Sequence, residues 1–297
     1  MDLRRPRLTA AGVSLLAGLA PMQAGRAAAD DAAGPDKSGY SLFNPTPSDQ
    51  MRDFSTDRPP KANSPYTVDA GHFQYEADLV SYLYDGYSPN HLTTREWVVA
   101  DPTLKLGLTD RIDAELQLAP YSNLRLTPRG SPAAASTDAS GFGDVTPRLK
   151  LNLFGDDGGA AALALIPYIK LPTAAHGLGN DKVEGGVIAP LSLALPVGWT
   201  AILMTELDAL ADSADAGRHV NFLNLVNLSH PLATGLTGYV ELFADTASGG
   251  QVTPTYTLDL ALTYLIGRDL QLDVGTNIGL DKAAPDLLAY IGLSQRF

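Results

Sequence analysis

The sequence predicts an all-β protein, an antiparallel transmembrane β-barrel of about 12 strands of the outer-membrane type. Three observations predict it: apolar and polar residues alternate over long segments, short and long connections between these segments alternate, and the last segment ends on Phe297. A tilted membrane strand needs roughly 9 to 11 residues, whereas strands of soluble proteins more often have about 5 or 6. An even strand count places both ends of the barrel on the periplasmic side.

Residues 1–29 have the layout of a secretory signal peptide. Three arginines within the first seven residues precede a short apolar stretch, and a run of small residues ends at Ala29. The apolar stretch is shorter than the roughly 20 residues that a membrane-spanning helix needs. We therefore expect export to a Gram-negative outer membrane, with cleavage near Ala29.

The composition excludes several classes of function. The chain has no cysteine, which rules out a disulfide framework, thiolate metal sites and a lipid anchor. Removal of residues 1–29 takes four arginines and one aspartate from 21 basic and 33 acidic residues, and leaves a net charge of −15. Binding to nucleic acid needs a basic face, so we expect no nucleic-acid partner.

Residues 30–69 form an irregular lead-in to the barrel, which we place at residues 70–297. The lead-in is rich in Pro, Asp, Ser and Gly and has no sustained period. Within it, Asp57, Arg58 and Pro59 combine a pair of opposite charges with a rigid backbone angle, and the residue before a proline is biased towards an extended conformation. This segment is either a plug that enters the barrel lumen or a flexible periplasmic tail.

The barrel is predicted from twelve alternating segments, which cover residues 71–84, 95–108, 111–122, 142–154, 159–172, 185–196, 199–211, 219–229, 235–246, 255–266, 269–280 and 287–297. The longest predicted loop covers residues 123–141. A secreted β-sandwich also alternates apolar and polar residues. The strand length, the loop pattern and the uncapped last strand favour a barrel, because closure of a barrel leaves no free edge.

In a membrane barrel the apolar face of each strand meets lipid and the polar face meets the interior. The predicted inward rows of charge contain Glu76, Asp78, Arg95, Asp101, Lys105, Asp113, Glu115, Arg148, Lys150, Lys170, Glu206, Asp208, Glu241, Asp259 and Asp273. An unpaired charge in a dry core costs several kcal/mol, so the interior is water-filled, ion-paired or both. Four tyrosines are also predicted to face inward as ligand contacts: Tyr82, Tyr84, Tyr168 and Tyr290.

Four stretches resemble segments of the outer-membrane transporter family of the meta-pathway of phenol degradation: FSTDRPPKANSPYTVDAGHFQYE (54–76), PTLKLGLTDRID (102–113), GFGD (141–144) and PYIKLPT (167–173). The resemblance implies an exported barrel in the membrane lipid, connected with uptake of aromatic or other hydrophobic compounds. The terminal strand ending in Phe297 resembles the signal that the barrel assembly machinery recognises.

A search for catalytic chemistry yields no candidate centre. The five histidines fall in or beside loops or at the start of a strand, far from inward serines. The loop residues His176, Asn180, Asp181 and Glu184 match no defined calcium loop and are interpreted as solvated. We therefore predict no enzyme, cofactor or metal, and a channel for passive uptake of small hydrophobic or aromatic solutes. A closed structural barrel is the alternative, and a lipid-modifying enzyme is a distant third.

Overall fold

The computed structural model describes residues 36–297 apart from 88, 90, 131–134, 213–216 and 249–252, so the predicted signal peptide lies outside the described residues. Within these residues, no helix is long and apolar enough to cross a membrane. A 3₁₀ turn covers Pro196–Gly198. The strand segments are β1 (Phe73–Asp85), β2 (Leu92–Gly107), β3 (Ile112–Gln117), β4 (Tyr121–Pro128), β5 (Thr137–Phe142), β6 (Thr146–Phe154), β7 (Ala161–Lys170), β8 (Glu184–Ala194), β9 (Thr200–Ala211), β10 (Arg218–Ala233), β11 (Leu236–Ala247), β12 (Thr255–Ile266), β13 (Leu270–Gly279) and β14 (Leu287–Arg296).

The segments close into a twelve-stranded antiparallel barrel. Segments β3 and β4 both pair with β2, while β6 pairs with β3 and β5 pairs with β4, so these four segments make two long, interrupted strands. The ring closes where Gln74 of β1 pairs with Lys105 on one side and with Arg296 on the other. The predicted fold class and strand number are confirmed.

The predicted loop at 123–141 is largely wrong, because β4 and β5 form a hairpin there. The side chains of Arg125 and Asp138 form an ion pair across this hairpin, and the rings of Tyr121 and Phe142 meet edge to face at 5.6 Å. The outward face of this hairpin is polar, with Asn123 and Arg125 on β4 and Asp138 and Ser140 on β5. A strand without an apolar outward face lacks the pattern of a lipid-facing strand, so its sequence is typical of a loop.

Short and long connections alternate around the ring. Two residues join β10 to β11, whereas the connection from β7 to β8 runs over residues 171–183. In outer-membrane barrels the short turns are periplasmic and the long loops extracellular. The outward side chains between the two ends are apolar and exposed, as at Leu203, Leu242 and Leu260. The apolar face of the wall therefore faces lipid, as predicted.

The predictions that Arg95, Tyr82 and Tyr84 face the lumen are wrong. The pairing of β1 with β14 shifts register between Asp78 and Val80, and Ala100 in β2 has a left-handed backbone (φ 53°). An extra residue in a strand moves every later side chain to the opposite face. The ring of Tyr82 consequently packs on exposed Trp97, and the guanidinium of Arg95 lies 5.6 Å from the centre of the Tyr84 ring.

Candidate functional site

The lead-in forms a hairpin among the inward side chains of the barrel wall. We call residues 52–68 the lead-in hairpin. Its two ends lie at the short-turn end of the barrel, where Arg52 Nε donates to Asp157 at 2.9 Å and the Thr67 N–H donates to Asp156 at 2.9 Å. Its middle contacts β1, β2, β6, β11, β12, β13 and β14 through hydrogen bonds and ion pairs.

Asp57 is the centre of a buried charge cluster. Its carboxylate lies 2.9 Å from the ammonium nitrogen of Lys150 and also binds that of Lys105. The two ammonium groups in turn contact Glu76 and Glu115, at 2.6 and 3.1 Å. Apart from Asp57, which retains a small exposed fraction, these side chains are almost completely buried. The predicted inward rows of charge on the wall therefore bind the lead-in through ion pairs. Buried ions are normally tolerated in proteins only when they are paired in this way.

Arg58 binds the adjacent part of the wall, on β1 and β13. Its guanidinium donates to Asp78 at 2.7 Å and, through two nitrogens, to both carboxylate oxygens of Asp273. Gly292 makes room for it, because a Cβ at this position would lie 2.1 Å from a guanidinium nitrogen. Beside it, the hydroxyl of Tyr290 donates to the Pro59 carbonyl at 2.8 Å.

The far end of the hairpin, at Lys61 and Ala62, is bound by residues of β11 and β12. The ammonium of Lys61 lies 2.9 Å from the Asp259 carboxylate and 4.0 Å from the centre of the Phe243 ring. The backbone N–H groups of Lys61 and Ala62 donate to the two oxygens of Glu241. Two further carboxylates of the predicted rows therefore bind the lead-in.

A second set of charges binds the base of the lead-in, which lies at the short-turn end of the barrel. Asp157, in the turn between β6 and β7, lies 2.8 Å from Lys37 and 2.9 Å from Arg52. Burial opposes ionisation of this carboxyl, but the two cations outweigh it and hold the pKa of Asp157 below its usual 3.8. At the end of β14, Arg296 donates to the Arg52 carbonyl and binds Asp269.

An apolar stripe crosses one side of the lumen. We define the lumen stripe as Ile166, Ile188, Met204, Leu225 and Phe243, which lie on the inner faces of β7 to β11. All but Phe243 are buried, and Ala62 of the lead-in hairpin packs against the stripe. Inward faces of membrane barrels are ordinarily polar. The stripe therefore gives this lumen one apolar side and one charged side.

Further towards the long loops, the lumen is lined by polar pairs. The ammonium of Lys170 lies 3.0 Å from Asp144 and 2.9 Å from Glu184, and it also donates to Asn180. The loop interpreted as solvated thus has two of its oxygen-bearing side chains bound to a lysine. Within the described parts of the chain, no group of three His, Cys, Asp or Glu residues is placed to hold a metal ion.

The inward rows contain every predicted charged residue except Arg95. Asp113 accepts from the Val68 N–H at 2.9 Å, Arg148 donates to Gln117, and Asp208 accepts from the Tyr168 hydroxyl at 2.6 Å. The rest of the inward set consists of Glu76, Asp78, Asp101, Lys105, Glu115, Lys150, Lys170, Glu206, Glu241, Asp259 and Asp273.

Sequence reasoning missed the lumen stripe. The signal for it is the stretch ALALIPYI in β7, where both faces are apolar. A strand that is apolar on both faces is buried on both faces. In a membrane barrel such a strand has lipid on one side, so its other apolar face marks an apolar part of the lumen.

The fold is that of an outer-membrane channel. The COG4313 outer membrane channel from Pseudomonas putida F1 superposes with a TM-score of 0.61 at 17% identity, over 82% of this chain and 100% of that one. The NanC porin gives 0.49 at 10% identity, over 75% and 98% of the two chains. The CymD monoaromatic hydrocarbon channel gives 0.45 at 10% identity, over 76% and 88%. The closed ring of strands and the likeness to the Pseudomonas putida channel define an outer-membrane β-barrel.

The chain belongs to the family described as "Putative MetA-pathway of phenol degradation", whose model matches residues 56–297. The match begins inside the lead-in hairpin and covers the whole barrel. The family resemblance expected from the sequence is therefore confirmed. No curated protein matches the sequence.

Proposed function

We propose that this protein is a channel for passive uptake of small hydrophobic or aromatic molecules across the outer membrane, and that the lead-in hairpin is its plug. The lumen stripe is the observation that carries this proposal. Apolar side chains that face a water-filled pore contribute no favourable free energy of burial, whereas a path for apolar solutes requires an apolar surface. The description of the family and the channel fold of the Pseudomonas putida protein support the same function.

Contacts of the lead-in hairpin with the lumen stripe support its proposed role as the plug. Ala62 covers the stripe residues, and Lys61 beside it is held by Asp259. Passage of a solute then requires the tip of the lead-in hairpin to move away from β9 to β12. Ion pairs suit such a movement, because water replaces much of the lost attraction when the lumen becomes hydrated.

A closed barrel without transport is the competing function. The charge cluster around Asp57 favours it, since Lys105 and Lys150 hold the lead-in hairpin through buried contacts. The two functions differ in one observable property. A channel shows openings that an apolar solute blocks, and a closed barrel shows none.

The test is single-channel conductance of the purified protein in a planar bilayer, with and without toluene. The proposal predicts discrete openings that toluene blocks in the wild type. The variant Ile188→Gln, which places an amide on the lumen stripe, is expected to lose toluene block. Its matched control is Leu83→Gln, at an inward position of β1 outside the stripe. Equal toluene block in the wild type and Ile188→Gln contradicts the proposed path.

Export and assembly are part of the same proposal. Residues 1–29 are proposed to act as a cleavable signal, and Phe297 as a recognition element for the barrel assembly machinery. The Phe297 N–H donates to the Phe73 carbonyl at 2.8 Å, and the two rings lie 5.9 Å apart. This contact supports a role of Phe297 in closing the seam between β1 and β14. The absence of enzymatic activity also remains a proposal, supported by the channel fold.

A further inference from the structure

A groove of about 720 Å³ crosses the lipid-facing side of the wall, on strands whose inner faces carry the lumen stripe. The floor of the groove is a row of side chains that lie directly opposite one another on β8 to β12, namely Ala189, Thr205, Asn224, Ala244 and Tyr256. The next outward row contains larger apolar side chains, among them Leu203, Val226 and Leu242. The difference in side-chain size between the two rows forms the groove.

Asn224 lies at the middle of this lipid-facing surface. It precedes buried Leu225 of the lumen stripe in β10, so its own side chain points outward, where it is exposed. The polar ends of the outward face are Arg218 and His230, each six residues from Asn224, or about 20 Å along the strand. The outward side chains between these ends and Asn224 are all apolar: Val220, Phe222, Val226 and Leu228. Asn224 therefore lies near the centre of the apolar band that faces the hydrocarbon core.

The side-chain amide of Asn224 is only half satisfied. The Thr205 hydroxyl donates to its oxygen at 3.0 Å, and its nitrogen donates to no atom in the part of the chain that the structure describes. Turning the amide over would pair the nitrogen with Thr205 and leave the oxygen without a donor, so one half lacks a partner in either orientation. An unpaired amide in hydrocarbon is strongly unfavourable, which indicates a polar partner at the same depth.

Lipid acyl chains cannot be that partner, because they carry no hydrogen-bonding groups. A second copy of the chain can. In a dimer whose two-fold axis is perpendicular to the membrane, each residue lies at the same depth as its counterpart in the other copy. Asn224 then meets another carboxamide, which carries both a donor and an acceptor, so that the two side chains can pair.

The rest of the row suits a contact between two walls. Ala189, Thr205 and Ala244 are small, and small residues permit close approach of membrane segments, as between membrane helices. Their position beside Asn224 on the neighbouring strands leaves room for the opposing amide to reach it.

We propose that this groove is the interface of a homodimer in the outer membrane, with the Asn224 side chains of the two copies hydrogen-bonded to each other at its centre. The proposal concerns the outer face of the wall and does not depend on the proposed solute path through the lumen.

The experiment is disulfide cross-linking in isolated outer membranes, with copper phenanthroline as the oxidant. Because the chain has no cysteine, a disulfide-linked dimer of the Asn224→Cys variant joins the two introduced thiols. A disulfide requires Cα atoms within about 7 Å, so we expect a band of twice the monomer mass that a reductant removes. Val99→Cys is the control, because Val99 is exposed on β2, six strands from β10 in both directions around the ring. We expect no dimer from this control.

A second measurement tests the contact with the Asn224 position free of cysteine. Copies labelled with donor or acceptor dyes at Thr253→Cys, in the exposed connection before β12, are mixed in liposomes, and Förster transfer gives the dimer dissociation constant. Asn224→Leu is expected to weaken the dimer about tenfold, because one hydrogen bond between membrane segments corresponds to roughly three- to twentyfold in affinity.

Ala244→Leu is expected to weaken the dimer as well, because the larger side chain fills the floor of the groove. Its matched control is Ala114→Leu, at an outward position of β3 beside inward Asp113 and Glu115. This control is expected to leave the dissociation constant unchanged. Heat-modifiable mobility on gels verifies that each variant is folded.

Three results would overturn the proposal. A yield of covalent dimer no higher for Asn224→Cys than for Val99→Cys would assign the groove to lipid. A cross-linked product of another mass in place of the dimer would assign it to a different protein. Förster transfer unchanged in both Asn224→Leu and Ala244→Leu would place any association on another face of the barrel.

Discussion

Arg58 and Asp273 are 215 positions apart in the sequence, yet two guanidinium nitrogens of Arg58 donate to the two carboxylate oxygens of Asp273, at 2.6 and 3.2 Å. Paired contacts of this geometry are among the stronger hydrogen-bonded ion pairs in proteins. The contact joins the middle of the lead-in hairpin to the inner face of β13. It attaches the proposed plug to the wall through two parallel hydrogen bonds.

Replacing Arg58 with Ala is expected to raise single-channel conductance. The change removes the attachments to Asp78 and Asp273 together, so the lead-in hairpin spends more time away from the wall. Gly292→Ala is expected to act in the same direction, because its methyl group overlaps the guanidinium. Arg125→Ala, which breaks an ion pair in the exposed β4–β5 hairpin, is the control. Conductance equal to wild type in both lumen variants would show that the hairpin does not limit ion flow.

Lys150→Met is expected to destabilise the barrel by about 3 kcal/mol, because it leaves buried Asp57 and Glu115 without one of their cations. The double variant Lys150→Met with Asp57→Asn removes a negative charge as well and is expected to recover part of the loss. Urea unfolding followed by heat-modifiable mobility measures both. The exposed Lys182→Met is the control, and a Lys150→Met protein as stable as that control would contradict the role of the cluster.

Acidification is expected to loosen the base of the lead-in. A carboxyl whose pKa is lowered by folding contributes stability above its unfolded pKa, and this stability is lost as the pH falls through the folded value. For Asp157 the unfolded value is 3.8 and the folded pKa lies below it, so its contacts with Lys37 and Arg52 are kept at pH 3.8 and are lost as the pH falls further. Conductance should rise as the pH is lowered from 3.8 through the folded pKa, and Asp157→Asn should show a smaller rise. The same rise in Asp157→Asn and wild type would assign the effect to other carboxyls.

Phe297→Ala is expected to lower the amount of assembled barrel in the outer membrane while export to the periplasm continues. The change removes the ring that contacts Phe73 at the seam between β1 and β14. Quantitative blotting of outer-membrane and periplasmic fractions measures it. Phe43→Ala, at a fully exposed aromatic of the lead-in, is the control, and equal assembly of the two variants would remove the proposed role of Phe297.

The fold was predictable because side chains of a β-strand point alternately to its two faces, which gives the sequence a period of two. In a membrane strand the face towards lipid must also be apolar over the whole span. This pattern gave the strand number and the inward position of residues such as Asp273 and Lys150. The prediction failed at Arg95. The irregular backbone at Ala100 moves the preceding side chains of β2 to the opposite face of the strand without changing the alternation of residue types. The prediction also failed at the β4–β5 hairpin, where the outward residues of β4, among them Asn123 and Arg125, are polar.

The site was predictable only in part. The charged rows show that side chains inside the barrel need hydrogen-bond or ion-pair partners. Nothing in the spacing of Asp259 or Glu241, however, indicates that their partners are Lys61 and the backbone of Ala62. These contacts join positions about 180 to 200 residues apart, and depend on where the hairpin enters the ring. The lumen stripe was hidden for a different reason, since apolar residues in a membrane strand are first assigned to lipid.

The most direct test of the central claim is the initial rate of uptake of radiolabelled toluene by Gram-negative cells that express the wild type, Ile188→Gln or Leu83→Gln at equal amounts of assembled barrel. We expect that the wild type and Leu83→Gln raise uptake above that of cells without the protein, and that Ile188→Gln does not. Uptake by wild-type cells equal to that of cells without the protein, or equal uptake by the two variants, would contradict a solute path along the lumen stripe.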